Sequence, residues 1–402
     1  MTAVAAPDVG AAKRLAVKRL RVGVLYGGRS SEHEISLASA ASVLANLDRE
    51  RYEPVPIRIE KDGRWVVADR PPSASSAADV IGQMRAEAVR PRAGRSVLMP
   101  PRPGDDTLVI IDRRSDTGDD VETTARLTGL HLDVVFPVLH GPLGEDGTIQ
   151  GLFELADVPF VGCGVLASAV GMDKAVMKVL FRARGLQVTD WVVVAAHAWR
   201  AGPDAVLASI GDALPDQLFV KPANMGSSVG ISKVTRPEQL RPAIDLAMAF
   251  DRKVVVEAAV TDAREIECAV LGAEAPASSV PGEILPSREF YDYEAKYLDS
   301  GSRLEIPASL TDAETAAVRA QALEAFAAID GAGLARVDFL LSRATGTLFV
   351  NEINTMPGFT TISMFAKLWS ASGVTYETLV NRLIALAIDR RHARQHLRTS
   401  VV

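Results

Sequence analysis

Two short segments near the C-terminus constrain the fold of this chain more than any other feature: Ala335-Arg336-Val337-Asp338-Phe339 and Val350-Asn351-Glu352-Ile353-Asn354-Thr355. Successive residues of a strand point to opposite faces, so Arg336 and Asp338 share one face while Val337 and Phe339 share the other. Glu352 and Asn354 share a face in the same way, with Ile353 opposed. Residues 342–346 read as a turn, and pairing the two strands across it brings Asp338 close to Glu352. The apolar alternation demands a covered face, which a solvated ladder of ion pairs would not need. Two carboxylates and an amide oxygen beside an arginine form a hard-oxygen set suited to Mg2+ rather than zinc.

A second segment, Phe219-Val220-Lys221-Pro222-Ala223-Asn224-Met225-Gly226-Ser227-Ser228-Val229-Gly230, sets a lysine between apolar strand residues at the root of a flexible loop. Backbone N–H groups of a Gly/Ser loop close on phosphate oxygens, and Lys221 adds a point charge. An ordinary exposed hairpin leaves that lysine unexplained. Magnesium beside a phosphate loop implies ATP and phosphoryl transfer, in which positioning and electrostatics supply most of the catalysis. The spacing does not encode what accepts the phosphoryl group. Glu32 in the loop 27–34, His140 in the segment 140–147 and Lys296-Tyr297 are the unassigned polar groups, and His140 fits a satisfied loop histidine as well as a functional one. Gly162-Cys163-Gly164-Val165-Leu166-Ala167 matches a dinucleotide fingerprint, but no acidic residue ends the following strand, so its glycines read as a tight turn.

A length of 402 residues suits two to three domains at roughly 100–200 residues each. The chain opens strand–loop–helix, with a strand at 20–26 and a helix at 34–47, as an α/β unit does. Further helices are expected at 148–156, 166–184, 237–250, 312–329 and 375–390. Residues 68–128, crowded with Pro, Ser and Asp, read as a variable, partly disordered insertion with one hairpin around 107–112. Residues 390–402 read as a solvated basic end. With 44 basic against 50 acidic residues, the chain lacks the basic footprint of a nucleic-acid binder. No apolar stretch reaches the ~20 residues of a spanning helix, so no membrane partner is expected. In residues 1–20 the small apolar residues precede Lys13, Arg14, Lys18 and Arg19, the reverse of a secretory signal, and this segment reads as a loose tail. Cys163 and Cys268, far apart and outside any CxxC, read as buried reduced thiols of a cytosolic protein.

Six segments then occur in order: Gly27-Gly28-Arg29-Ser30-Ser31-Glu32-His33-Glu34-Ile35-Ser36, residues 140–147, Met172-Asp173-Lys174, residues 221–230, Glu294-Ala295-Lys296-Tyr297 and residues 351–359. Together they resemble the D-alanine–D-alanine ligase family of the ATP-grasp superfamily, from about residue 21 to residue 387. The resemblance implies an α/β and α+β chain with the ATP-grasp fold. After a tail at 1–20, an N-terminal α/β domain would span 21–173 with the insertion 68–128. A central domain at 174–265 and a C-terminal domain at 266–402 would clasp ATP between antiparallel sheets. The implied activity is ATP-dependent joining of two D-alanines through D-alanyl phosphate, for peptidoglycan precursors. The implied setting is a cytoplasmic homodimer with two Mg2+ (or Mn2+) ions in each active site.

By motif match, Glu32 would hold the ammonium of the first D-alanine, and Ser227 and Tyr297 would link to it, tying the phosphate loop to a lid. Lys174, Lys221 and Ser228 would contact the ATP phosphates and Lys296 the transferred phosphoryl group. Glu257 would meet the adenine amino group and Glu265 the ribose hydroxyls. Asp338, Glu352 and Asn354 would bind the metal ions, and Arg336 with the N–H of Gly358 would stabilise the oxyanion. Ser363 and Met364 would receive the second substrate's carboxylate, and His140 would lie near the first D-alanine. The connector 258–264 is one residue longer than the family pattern, and Phe365-Ala366 replaces a common Tyr-Pro or Val-Pro pair. The Glu-Ala-Lys-Tyr segment, usually absent from relatives that use D-lactate, favours an amine acceptor. The alternatives are a D-lactate or D-serine acceptor, another ATP-grasp carboxylate–amine ligase, or a non-catalytic ATP-binding regulator on the same scaffold.

Overall fold

The computed structural model describes residues 18–72, 94–104, 107–115, 123–285 and 303–398. The apolar run at the start of the chain forms β1 (Leu20–Gly27), which leads through α1 (His33–Asn46) to β2 (Tyr52–Ile59), parallel to it. Gly27 closes β1 at φ +92°, where a Cβ would lie 2.3 Å from the Ile59 carbonyl oxygen, so only glycine fits this turn. The Asp62-Gly63 turn reverses the chain into β3 (Trp65–Ala68). Strands β4 (Gly94–Leu98), β5 (Leu108–Ser115) and β6 (Thr123–Leu130) continue the antiparallel pairing, and β7 (Val134–Pro137) returns parallel to β1. The sheet order is β6-β5-β4-β3-β2-β1-β7. The described parts of residues 68–128 extend the first sheet by three strands, where one hairpin was expected. Strands β2 and β7 flank β1 on opposite sides, both parallel to it, so the loops after β1 and β7 leave at a topological switch point, where α/β sheets bind ligands.

Helix α2 (Thr148–Leu155) precedes α3 (Val165–Met172) and α4 (Lys174–Ala183). The single helix expected at 166–184 is broken at Asp173, whose backbone is extended (φ −85°, ψ 97°). Its carboxylate accepts from the N–H groups of Ala175 and Val176 and so caps α4. The break turns Lys174 out of a continuous helix.

The second sheet is antiparallel, with β8 (Trp191–Ala195), β9 (Leu218–Pro222), β10 (Ser232–Val234) and β11 (Lys253–Ala258) in the order β10-β9-β11-β8. Helices α5 (Ala196–Ala201), α6 (Pro203–Ala213) and α7 (Leu240–Met248) accompany it, and the apolar side of the sheet packs with Trp199, Ile210 and Ile244. The third sheet runs β15 (Arg303–Glu305), β14 (Gly282–Leu285), β12 (Ala263–Gly272), β16 (Gly333–Ser342), β17 (Leu348–Asn354), with β13 (Ala277–Ser278) paired to β12. Helix α8 (Asp312–Ala328) opens with a capping box, Thr311 and Glu314 exchanging hydrogen bonds, and buries Val318, Ala322 and Phe326 against this sheet.

Helices α9 (Met364–Ala371) and α10 (Tyr376–Gln395) share one apolar core with the first sheet, joining Phe136 and Val24 to Trp369 and Leu383. The basic end is not all solvated. Arg390 donates to the carbonyls of Gly162 (2.5 Å) and Phe160 (2.9 Å) and stacks 4.2 Å from the Phe160 ring centroid, pinning α10 to the turn at Gly162. Gly162 adopts φ +105°, the tight turn its sequence implies. Cys163 and Cys268 are both buried free thiols, pushed up to about 11 and about 12 by burial. Among the described residues, no helix is long and apolar enough to cross a membrane.

Candidate functional site

The alternation in residues 335–339 and 350–355 produces an antiparallel pair in which Asp338 faces Glu352 and Arg336 faces Asn354, with a bulge after Asp338. Arg336 grips Asp338 with two hydrogen bonds of 2.7 Å each and lies 2.9 Å from Glu267, which neighbours Asp338 on β12. Burial opposes the charge of Arg336, but Asp338 and Glu267 together push its pKa still further up, so it is a fixed cation. The Asn354 amide donates to Asp338 at 2.9 Å, which leaves its carbonyl oxygen available to a cation.

Opposite these groups stand the lysines. Lys221 bridges to Glu257 and donates to Asn351 (3.2 Å). Lys174 reaches the Met225 carbonyl (2.8 Å) and lies 3.2 Å from Glu352. Between β9 and β10, Ser227 and Ser228 adopt φ of +50° and +58°, a left-handed conformation that costs about 1 kcal/mol or more per residue and is retained at binding loops. A turn whose successive N–H groups converge forms a concavity for anions. Lys174, Lys221, Ser227, Ser228, Glu257, Glu265, Asp338 and Glu352 all line one solvent-open cleft of about 980 Å³ between the second and third sheets.

Glu32, at the start of α1, meets the loop that borders this cleft from the side of the first sheet. Its carboxylate is buried and accepts from the hydroxyl of Ser227. Gly141 (φ +73°) and Gly226 flank it; a Cβ on either would lie 2.5 or 3.0 Å from Oε2 of Glu32. Ser30 donates to the His140 carbonyl (2.7 Å) and accepts from the Glu32 N–H (3.2 Å), linking the two switch-point loops.

Both ring nitrogens of His140 are taken up by protein, Nδ1 by the Met356 carbonyl (2.9 Å) and Nε2 by Ser39 (3.0 Å). Burial pushes it down to about 4, so the ring is neutral. Ser363 hydrogen-bonds to Thr360 (Oγ to Oγ1, 2.7 Å) and stands at the N-terminus of α9, whereas the Met364 side chain is buried in the apolar core. Gly358 lies close to Ser363. Lys296 and Tyr297 fall outside the described residues.

Sequence reasoning passed over several groups. Lys178 is buried and bonds Glu257 (2.8 Å) and Thr189 (2.9 Å). It lies four residues after Lys174, on the same helix face, a signal that was present in the sequence. Burial alone would raise Glu257, but Lys178 and Lys221 hold it down at about 2. Glu145, accepting from the Gly141 N–H (3.1 Å), is pushed well above the usual carboxylate range by burial and by the charge of Glu32.

The donor set fits a magnesium ion in part from protein and in part from elsewhere. Among the described residues no three or more His, Cys, Asp or Glu side chains form a metal cage. Two carboxylates and an amide oxygen suit Mg2+, which takes its remaining ligands from phosphates and water.

Two antiparallel sheets facing each other across a cleft with two buried lysines on one wall and paired carboxylates on the other define the ATP-grasp class. The family model "D-ala D-ala ligase N-terminus" matches residues 21–163 and "D-ala D-ala ligase C-terminus" residues 180–385. The D-alanine–D-alanine ligase of Heliobacterium modesticaldum is 46% identical, over 93% of this chain and 96% of its own length, and that of Geobacillus thermodenitrificans is 45% identical, over 94% and 98%. Among solved structures, the D-alanine–D-alanine ligase from Coxiella burnetii superposes with a TM-score of 0.74 at 33% identity, covering 94% of this chain and 97% of that one. The VanG D-Ala:D-Ser ligase from Enterococcus faecalis gives 0.75 at 31%, covering 92% and 100%. The chain belongs to the D-alanine–D-alanine ligase family.

Proposed function

We propose that this chain joins two molecules of D-alanine to D-alanyl-D-alanine through a D-alanyl phosphate formed with ATP, supplying peptidoglycan precursors. The observation that carries this reading is the Glu32–Ser227 contact: an acidic anchor suited to a substrate ammonium is bonded to the tip of a phosphate-type loop. Amino acid and nucleotide therefore meet at one point of the cleft.

Lys174, Lys221 and the N–H groups around Ser227 and Ser228 bind the ATP phosphates, each a charge or donor of the required sign. Glu257 meets the adenine amino group; a carboxylate already held by two lysines keeps lone pairs for a further donor. Glu265 takes the ribose hydroxyls. Asp338, Glu352 and Asn354 hold two divalent cations, Mg2+ or Mn2+, which would neutralise phosphate charge. Arg336 and the Gly358 N–H receive the oxyanion that develops when the second amine attacks the acyl phosphate. Ser363 and the N-terminus of α9 receive the second carboxylate. By motif match, Lys296 would contact the transferred phosphoryl group and Tyr297 would link to Ser227 and Glu32, helping to keep water from the acyl phosphate. The domains divide at 173/174 and between β11 and β12, just before the expected 265/266, because a division there would cut β12 of the third sheet; the chain acts as a homodimer, and its compartment is the cytoplasm.

ADP release with ATP, Mg2+ and D-alanine tests the reading. It should require D-alanine and fail with L-alanine, and the product should be the dipeptide even with D-lactate or D-serine in excess. No D-alanine-dependent release would refute it; release only in the presence of D-serine or D-lactate would move the chain to one of the other acceptor classes.

A further inference from the structure

His140 is buried with both ring nitrogens bonded to protein, and the directions of its hydrogen bonds are fixed by chemistry. The Met356 carbonyl can only accept, so Nδ1 carries the proton and donates to it at 2.9 Å. Nε2 is then an acceptor, and the Ser39 hydroxyl donates to it at 3.0 Å. A lone pair of the same hydroxyl accepts from the Phe359 N–H at 3.1 Å. The chain of bonds runs Phe359 N–H to Ser39 to His140 to the Met356 carbonyl, and all of it is buried.

These partners are remote in sequence. Ser39 lies on α1, His140 follows β7, and residues 356–359 follow β17 of the third sheet. The Phe359 carbonyl accepts from the Tyr376 hydroxyl at 2.5 Å, and its ring packs 5.6 Å from Phe136 and 5.5 Å from Tyr376. Gly358 is thus suspended between a residue held at its carbonyl, Met356, and one held at both backbone groups and its ring, Phe359. Among the described residues no acceptor engages the Gly358 N–H. On the other side, Ser39 follows Glu32 by two turns of the same helix start, and Ser30 ties the Glu32 N–H to the His140 carbonyl.

We propose that Ser39 and His140 are positioning residues: their hydrogen-bonded relay across the first and third sheets holds the 356–359 turn so that the Gly358 N–H stays at a fixed distance from the Glu32 anchor. For what the Gly358 N–H does, the proposal rests on the ligase reading above. The Ser39 hydroxyl and both ring nitrogens of His140 are engaged within the protein. The relay sets the geometry between the anchor of the first substrate and the donor to its reacting carboxyl, where misplacement by about 1 Å is worth on the order of a hundredfold in rate.

Two readouts on the full chain test this. Hydrogen–deuterium exchange at the Phe359 amide reports the relay without reference to activity, and in Ser39→Ala it should rise about tenfold or more while global unfolding stays cooperative. In steady-state assays Ser39→Ala should lower kcat by roughly ten- to a hundredfold with the KM for ATP within about twofold, and Ser39→Thr, which restores the hydroxyl, should recover most of it. His140→Asn keeps a donor for the Met356 carbonyl but loses the acceptor for Ser39, so the double variant should fall no lower than the worse single one. Unchanged Phe359 exchange in folded Ser39→Ala overturns the proposal, as do losses that multiply in the double variant or that appear in the KM for ATP. A wild-type chain without D-alanine-dependent turnover would refute the ligase reading, and the exchange measurement would still decide the relay.

Discussion

Replacement of Lys178 by Met removes one of the two cations that hold Glu257 ionised inside the cleft wall. Moving that carboxyl from 4.5 to about 2, against its own burial, corresponds to roughly 3 kcal/mol in favour of the charged form. Lys178, 2.8 Å away and itself buried, is the larger of the two contributors. Its loss should therefore destabilise the fold by about 2 kcal/mol. That is less than the roughly 3–5 kcal/mol expected when a buried charge loses its only partner, because Lys221 remains. The sign with pH is definite: a depressed carboxyl contributes stability that is present above pH 4.5 and lost as pH falls through about 2. In Lys178→Met the folded value rises, so the loss begins at higher pH. Urea unfolding followed by tryptophan fluorescence suits the assay, since the Trp191 ring centroid lies 5.7 Å from the Lys178 ammonium. A chain with three sheets need not unfold in one step, so the midpoint of the first transition is the quantity to compare. The KM for ATP should rise in parallel. A variant with an unchanged midpoint and an unchanged KM would show that the lysine pair does not hold Glu257.

Three further outcomes follow from the same geometry. Gly141→Ala, which forces a Cβ to within 2.5 Å of Oε2 of Glu32 at φ +73°, should raise the KM for D-alanine about tenfold with little effect on ATP binding; equal effects on both would contradict the role of Glu32. Arg336→Ala should lower turnover by roughly a hundredfold or more while ATP affinity changes far less, and equal losses in both would assign Arg336 to phosphate binding instead. His140 sits at about 4 in the folded chain against an ordinary 6.5, so its contribution is complete above pH 6.5 and is lost as pH falls towards 4, worth roughly 3 kcal/mol. His33, also lowered by burial, acts in the same window, so the test is the difference between wild type and His140→Asn in the slope of unfolding midpoint against pH. Equal slopes would refute it.

The parts of the site that follow strand periodicity were legible in the sequence. Asp338 opposite Glu352 required only period two and a turn, and Lys221 stood out because a charge between apolar strand residues needs a reason. Composition misled at residues 68–128: the Pro, Ser and Asp content hid three strands that pair one after another outward from β3 and bury Val97, Leu108 and Ile110 in the core of the first sheet. The break at Asp173 was concealed because apolar spacing continues across it, and only the capping role of the aspartate reveals the start of α4. Arg390 looked like part of a charged tail, yet its partners are backbone carbonyls some 230 residues away. The Ser39–His140–Met356 contacts span 101 and 216 positions, and nothing in local pattern marks them.

The central claim is that Asp338, Glu352 and Asn354 form the cation-binding wall of a nucleotide cleft. Anomalous scattering from crystals grown with ADP and Mn2+ tests it directly. Manganese peaks should lie within coordination distance of Asp338 and Glu352, between them and the nucleotide phosphates. A nucleotide bound in the cleft with manganese elsewhere, or with Arg336 still occupying both oxygens of Asp338 and no cation beside them, would contradict it.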